Sequence, residues 1–123
     1  MKQCRSLVVF VENEPATRTI VEAALEDANF VVLSAGNAED AISVLERADG
    51  YVSAVLTDVN LPGPMDGLGL ARYVSRRWPS IGLLMTSGHV PNQPVAGQGR
   101  FLSKPYDLGH VVHEVREAVS HIS

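Results

Sequence analysis

The chain of 123 residues is long enough for one compact domain with a real core and too short for two of ordinary size. Its 46% hydrophobic and 20% charged content excludes disorder, and a net charge of -4 with no Lys/Arg patch argues against a nucleic-acid or anionic membrane surface. A single cysteine, Cys4, excludes an intrachain disulfide and fits a reducing, cytoplasmic setting. Lys2 and Arg5 precede an apolar run of only Leu7 to Val11, too short for a signal peptide or a membrane span.

Leu7 to Val11 reads as a first strand, ending in the polar cluster Glu12-Asn13-Glu14 before Pro15, which suits the start of a helix. From Ala16 to Asn29, Ile20, Val21, Ala24, Leu25 and Ala28 recur at spacings of three and four and predict an amphipathic helix with one core face. Phe30 to Ala35 is a second strand. Asn37 then caps a second helix with Ala38, Ala41, Ile42, Leu45 and Ala48 as its buried stripe. Tyr51 to Thr57 is a third strand, and after a loop holding Pro62, Gly63 and Pro64, Asp66 caps a third helix faced by Leu70, Ala71, Val74 and Trp78. Arg76 and Arg77 suit the solvated, cation-favouring end of that helix.

Ile81 to Met85 is a fourth strand that leads into Thr86-Ser87-Gly88-His89. Between Val90 and Arg100, Pro91, Pro94, Gly97 and Gly99 allow at most a short, irregular helix. Phe101 to Ser103 is a brief fifth strand ending at Lys104-Pro105. Asp107 caps a last helix carrying Leu108, Val111, Val112, Val115 and Val119 at a 3.6-residue period. Strands alternating with helices in this way predict a doubly wound α/β domain spanning 1–123, with a five-stranded parallel sheet.

In such sheets ligands sit beyond the carboxyl ends of the strands. There the strands deliver Glu12 and Asn13, then Asp58, then Thr86 and Ser87, then Lys104. An Asp carboxylate can attack phosphorus and hold the phosphoryl group, a carboxylate can help hold Mg²⁺, a hydroxyl can donate to a phosphoryl oxygen, and an ammonium supplies a point charge. Together they describe a phosphorylatable aspartate. A lone Asp at a strand end is ordinarily a cap or turn residue, Asn13 could equally organise the first helix, and Phe101 could equally be a core residue. His89, His110, His113 and His121 lack metal-ligand spacing and read as surface residues.

The pieces Val11-Glu12-Asn13-Glu14-Pro15, Thr57-Asp58, Leu61-Pro62, Met65-Asp66-Gly67, Met85-Thr86-Ser87-Gly88 and Lys104-Pro105-Tyr106 stand in an order and spacing that resembles the response regulator receiver domain of two-component phosphorelay signalling. The resemblance covers essentially the whole chain. It implies Asp58 as phosphoacceptor, Thr86 as switch hydroxyl, Lys104 as phosphate contact and Phe101 as switch aromatic. It also implies the flavodoxin-like strand order 2-1-3-4-5 and Mg²⁺ held by Glu12, Asn13, Asp58 and the main-chain carbonyl of Asn60. A sensor histidine kinase or phosphotransfer protein is implied as donor and a downstream protein as partner, with homodimerisation left open and no direct nucleic-acid or membrane contact.

Two departures stand out. The family usually has Asp where this chain has Asn13, so weakened Mg²⁺ binding is expected. The segment for the fourth helix, which in the family helps form the output surface, is short and rich in Pro and Gly. Three functions follow: a stand-alone receiver that participates in its own phosphoryl transfer without being an enzyme; a degenerate receiver acting as a constitutive interaction module; or a small aspartyl-phosphate phosphatase or flavin-binding domain. The last is disfavoured because Asn60 stands where a phosphatase wants a second acid, and Glu12-Asn13-Glu14 where a flavin wants a phosphate-binding loop.

Overall fold

The computed structural model describes residues 6–48, 50–87, 100–103 and 107–120. Their elements run β1 (Leu7–Val11), α1 (Pro15–Asp27), β2 (Val31–Ala35), α2 (Ala38–Ala48), β3 (Val52–Asp58), α3 (Gly67–Arg77), β4 (Gly82–Ser87), β5 (Arg100–Ser103) and α4 (Leu108–Ser120). The strands form one parallel sheet in the order β2-β1-β3-β4-β5. That is the order the resemblance implies. The short, irregular helix expected between Val90 and Arg100 lies outside the described residues.

Both faces of the central strands are buried, which explains why they read as continuous apolar runs rather than alternating ones. Val9, Val11, Val55 and Met85 pack under α2 and α3 with Ala41, Leu45, Leu70 and Val74. On the other face, Val8, Phe10, Leu56 and Leu84 pack under α1 and α4 with Val21, Leu25, Val111 and Val115. Two side chains assigned to core stripes lie outside them. Ile20 is 54% exposed because it sits on the flank of the stripe formed by Val21, Ala24, Leu25 and Ala28. Leu108 is also exposed, one turn before Val111, the first residue of α4 to reach the core. Trp78 is half-buried: its ring lies 4.8 Å beneath the Arg77 guanidinium and packs on the core from the side.

The helix ends obey local chemistry. Asn37, Asp66 and Asp107 accept from the main-chain N–H of Asp40, Gly69 and His110 at 2.7 to 2.8 Å, capping α2, α3 and α4 as expected. α1 stops at Asp27 rather than Asn29, because Asn29 takes a left-handed φ of 76° and Phe30 N–H bonds back to Leu25 O. Arg76 and Arg77 are exposed in the last turn of α3. The Glu46 carboxylate, 3.0 Å from Arg77, and the Tyr73 hydroxyl hold that guanidinium above its ordinary pKa. Among the described residues no helix is long and apolar enough to cross a membrane.

Candidate functional site

The sheet brings its polar residues together where β1, β3 and β4 end. Val11 pairs with Thr57, so the residues that follow, Glu12 and Asp58, leave adjacent strands side by side. Asp58 pairs directly with Thr86 across β3 and β4. The third strand therefore extends one residue further than its apolar run suggests and takes Asp58 as its last member. Glu12, Asp58, Thr86 and Ser87 are all buried, in a protein whose other described charged side chains are at least partly exposed.

Such burial requires compensation, and here it is incomplete. Glu12 Oε2 accepts the Glu14 N–H at 3.1 Å, while Glu12 Oε1 is buried with no hydrogen-bond partner. Asp58 Oδ1 accepts the Asn60 N–H at 3.3 Å. Thr86 Oγ1 is the second buried polar atom without a partner. An orphaned carboxylate oxygen and an orphaned hydroxyl thus flank the same aspartate. Leaving such groups unsatisfied costs roughly 1–3 kcal/mol each, which a ligand carrying complementary groups would recover.

The surrounding loops are tied to these strand ends. Arg18 Nη1 donates to the Glu12 carbonyl at 3.0 Å, and the Glu12 N–H bonds to Ala35 O at 2.9 Å. The N-cap position of α1 falls on Glu14, whose side chain makes no cap hydrogen bond, and Asn13 is exposed. After Asp58 the chain turns back: Val59 N–H bonds to Thr86 O at 2.9 Å, and Gly67 N–H bonds to Val59 O at 2.8 Å. Gly67 is required by contact. A Cβ there would stand 2.1 Å from Asp58 O and 2.7 Å from Val59 Cα.

Asn60 is exposed beside Asp58, and Phe101 is half-buried in β5, opposite Met85 and packed on the α2/α3 side of the core. Lys104 lies outside the described residues. Motif reading passed over Arg18, and it quoted Gly67 without a role for it. A cation six residues after the first acid and a glycine just after a helix cap were visible signals, but only the structure shows what they touch.

For a divalent cation the donor chemistry fits. Glu12 and Asp58 supply two hard carboxylates on adjacent strand ends, one with an unsatisfied oxygen, and Asn13 and Asn60 add carbonyl oxygens at the rim. Mg²⁺ is ordinarily held by one or two carboxylates and keeps several waters. Among the described residues no group of three or more His, Cys, Asp or Glu side chains gathers as a metal cage.

Comparison with known proteins gives one family. The response regulator receiver domain matches residues 8–116. A putative response regulator, NtrX-like, of Rickettsia bellii is 32% identical over 117 residues, 90% of this chain and 24% of that protein. The sensor kinase CckA of Brucella abortus is 31% identical over 115 residues, 89% of this chain and 12% of that one. The chain thus spans a quarter or less of these curated relatives. Among solved structures, the receiver domain of the hybrid histidine kinase CckA is 25% identical with a TM-score of 0.82, covering 93% of this chain and 99% of that one. A CheY-like receiver domain protein from Methanospirillum hungatei reaches a TM-score of 0.85 at 17% identity, over 96% of both chains, a likeness of fold.

Proposed function

The chain belongs to the response regulator receiver domain family, a family of signalling modules, and from that premise we infer that it is a phosphorylation-controlled switch whose phosphoacceptor is Asp58. The observation that carries this reading is the placement of Asp58: buried, last on the central strand, and flanked by the unpartnered Glu12 Oε1 and Thr86 Oγ1. A carboxylate oxygen of Asp58 attacks the phosphorus of a phosphohistidine on a sensor kinase or phosphotransfer protein. The new O–P bond forms as the N–P bond breaks, and its electron pair returns to the imidazole nitrogen.

Thr86 Oγ1, in register with Asp58, donates to a phosphoryl oxygen once one arrives. Lys104 is assigned the point charge on the phosphoryl group by its place in the family motif. Receiver domains in general bind Mg²⁺ at their acidic pocket; here Glu12, Asp58, the Asn13 side-chain carbonyl and the Asn60 main-chain carbonyl would hold it, and it would neutralise charge on the transferring group. Recruitment of Thr86 pulls the end of β4 toward Asp58 and opens space on the β5 side, where Phe101 packs. This biases a two-state equilibrium of the partner-binding surface. The chain takes part in its own phosphoryl transfer, binds a downstream protein, and works in the cytoplasm, where ATP-dependent kinases generate the donor.

Incubation with a small phosphodonor and Mg²⁺ yields an acid-stable, base-labile adduct that Asp58→Asn lacks; a wild type that forms none overturns the reading. Asn13 motivates a second reading, a degenerate receiver binding its partner constitutively. Magnesium binding in the millimolar range or tighter favours the switch, and none detectable up to tens of millimolar favours the degenerate module.

A further inference from the structure

β2 is an outer strand of the sheet, bonded on one side to β1, and directs a row of main-chain N–H and C=O groups outward. Proteins blunt such edges with Lys, Pro or a bulge. This strand, Val31-Val32-Leu33-Ser34-Ala35, has none of them and is paired with β1 in unbroken register. Val31 and Leu33 are 37% and 40% exposed. Alternation puts them on the same face as Ala35, which packs under α2. Beside Leu33 lies a shallow apolar hollow closed by Val44 and Ala48, and it continues into a groove of about 920 Å³ that reaches Arg18, Ser34, Asp40 and Arg47.

Charges flank this edge in a definite order. α2 runs against β2, so Arg47 in its last turn borders Leu33 and Asp40 in its first turn borders the groove at Ala35 and Gly36. On the opposite face Arg18, Glu22 and Glu26 stand four apart on one stripe of α1. Arg18 lies at Gly36, Glu22 accepts from the Ser34 hydroxyl, and Glu26 follows toward the start of β2. Above the sheet, then, the edge runs from positive to negative. Below it, the order is reversed.

An edge of this kind is complementary to itself under a two-fold axis perpendicular to the sheet. We propose that β2 pairs antiparallel with β2 of a second copy of this chain, centred on Ser34, joining two five-stranded sheets into one. Leu33 faces the partner's Ala35 on each side of the axis, which covers the exposed Leu33. Arg47 meets the partner's Asp40 above the sheet, and Arg18 meets the partner's Glu26 below it. A side-by-side parallel arrangement forfeits both charge pairings. The surface lies on the far side of β1 from Asp58, so assembly and phosphoryl acceptance are measured independently.

Sedimentation velocity of the full chain from about 5 to about 500 μM tests this. Dimer accumulates with concentration, and the outward amides of Val32 and Ser34 gain hydrogen-exchange protection in step. Leu33→Lys and Arg47→Glu each raise the dimer dissociation constant at least about tenfold, with circular dichroism unchanged, and adding Asp40→Arg to Arg47→Glu restores it. A chain monomeric throughout overturns the proposal. So does a dimer indifferent to Leu33→Lys, a charge swap that fails to restore Arg47→Glu, or an edge protected at every concentration because another segment or another protein covers it.

Discussion

Asp58 and Thr86 stand directly opposite each other at the ends of β3 and β4, and the threonine hydroxyl is buried without a hydrogen-bond partner. A buried hydroxyl without a partner carries a desolvation penalty. Its cost is borne by the ground state, which makes it measurable. Thr86→Val, which keeps the shape and removes the polar atom, stabilises the unphosphorylated protein by about 1 kcal/mol in urea unfolding. Thr86→Val also weakens the conformational response to phosphorylation. A loss of 1 kcal/mol or more would mean that the hydroxyl is already satisfied in solution.

Glu12 makes the same argument for the acidic side of the site. Its Oε2 organises the turn into α1 through Glu14, and its buried Oε1 is idle. Glu12→Gln keeps an acceptor for the Glu14 N–H and removes the buried charge. We expect a metal-free protein at least as stable as wild type, with Mg²⁺ affinity lowered about tenfold or more. Thermal melts with and without Mg²⁺ measure both effects. A metal-induced rise in Tm as large in the variant as in wild type contradicts the assignment.

Asn13 is exposed at the rim, so adding a charge there carries little desolvation cost. Asn13→Asp supplies a third carboxylate and tightens Mg²⁺ binding about tenfold, equivalent to roughly 1.4 kcal/mol, by isothermal titration. An unchanged affinity places the metal away from this residue.

Gly67 holds the loop after Asp58 against the strand end. Gly67→Ala puts a methyl group into main-chain atoms of Asp58 and Val59, which cannot rotate away as a side chain can. The variant loses about 3 kcal/mol of stability, and the phosphoacceptor shifts with the loop, so the surviving folded fraction phosphorylates more slowly. Wild-type denaturant midpoints would show that the loop relaxes freely.

The fold was legible where burial on both faces left an unmistakable mark, as in Leu7 to Val11, and where caps such as Asn37, Asp66 and Asp107 announced helix starts. It was less legible at helix flanks. Ile20 has the spacing of a core residue but sits off the centre of its stripe, and Leu108 lies a turn short of the core; periodicity alone does not locate the sheet beneath a helix. Of the site, Asp58, Glu12 and Thr86 could be read from strand ends, because a parallel sheet sends all its carboxyl ends to one rim. The roles of Gly67 and Arg18 could not, since each depends on how the chain turns back on a main-chain atom of the preceding strand end. Nor could the sequence alone tell that Glu14, and not Asn13, takes the N-cap position of α1.

The central claim is that Asp58 receives the phosphoryl group, and trapping the acyl phosphate tests it most directly. The protein is phosphorylated with a small donor and Mg²⁺, reduced with borohydride, which converts the activated carboxyl to an alcohol, and mapped by peptide mass spectrometry. The account predicts reduction at residue 58 alone, dependent on the donor and absent in Asp58→Asn. Reduction at another carboxylate, or none under conditions where Mg²⁺ binding is saturated, would contradict it.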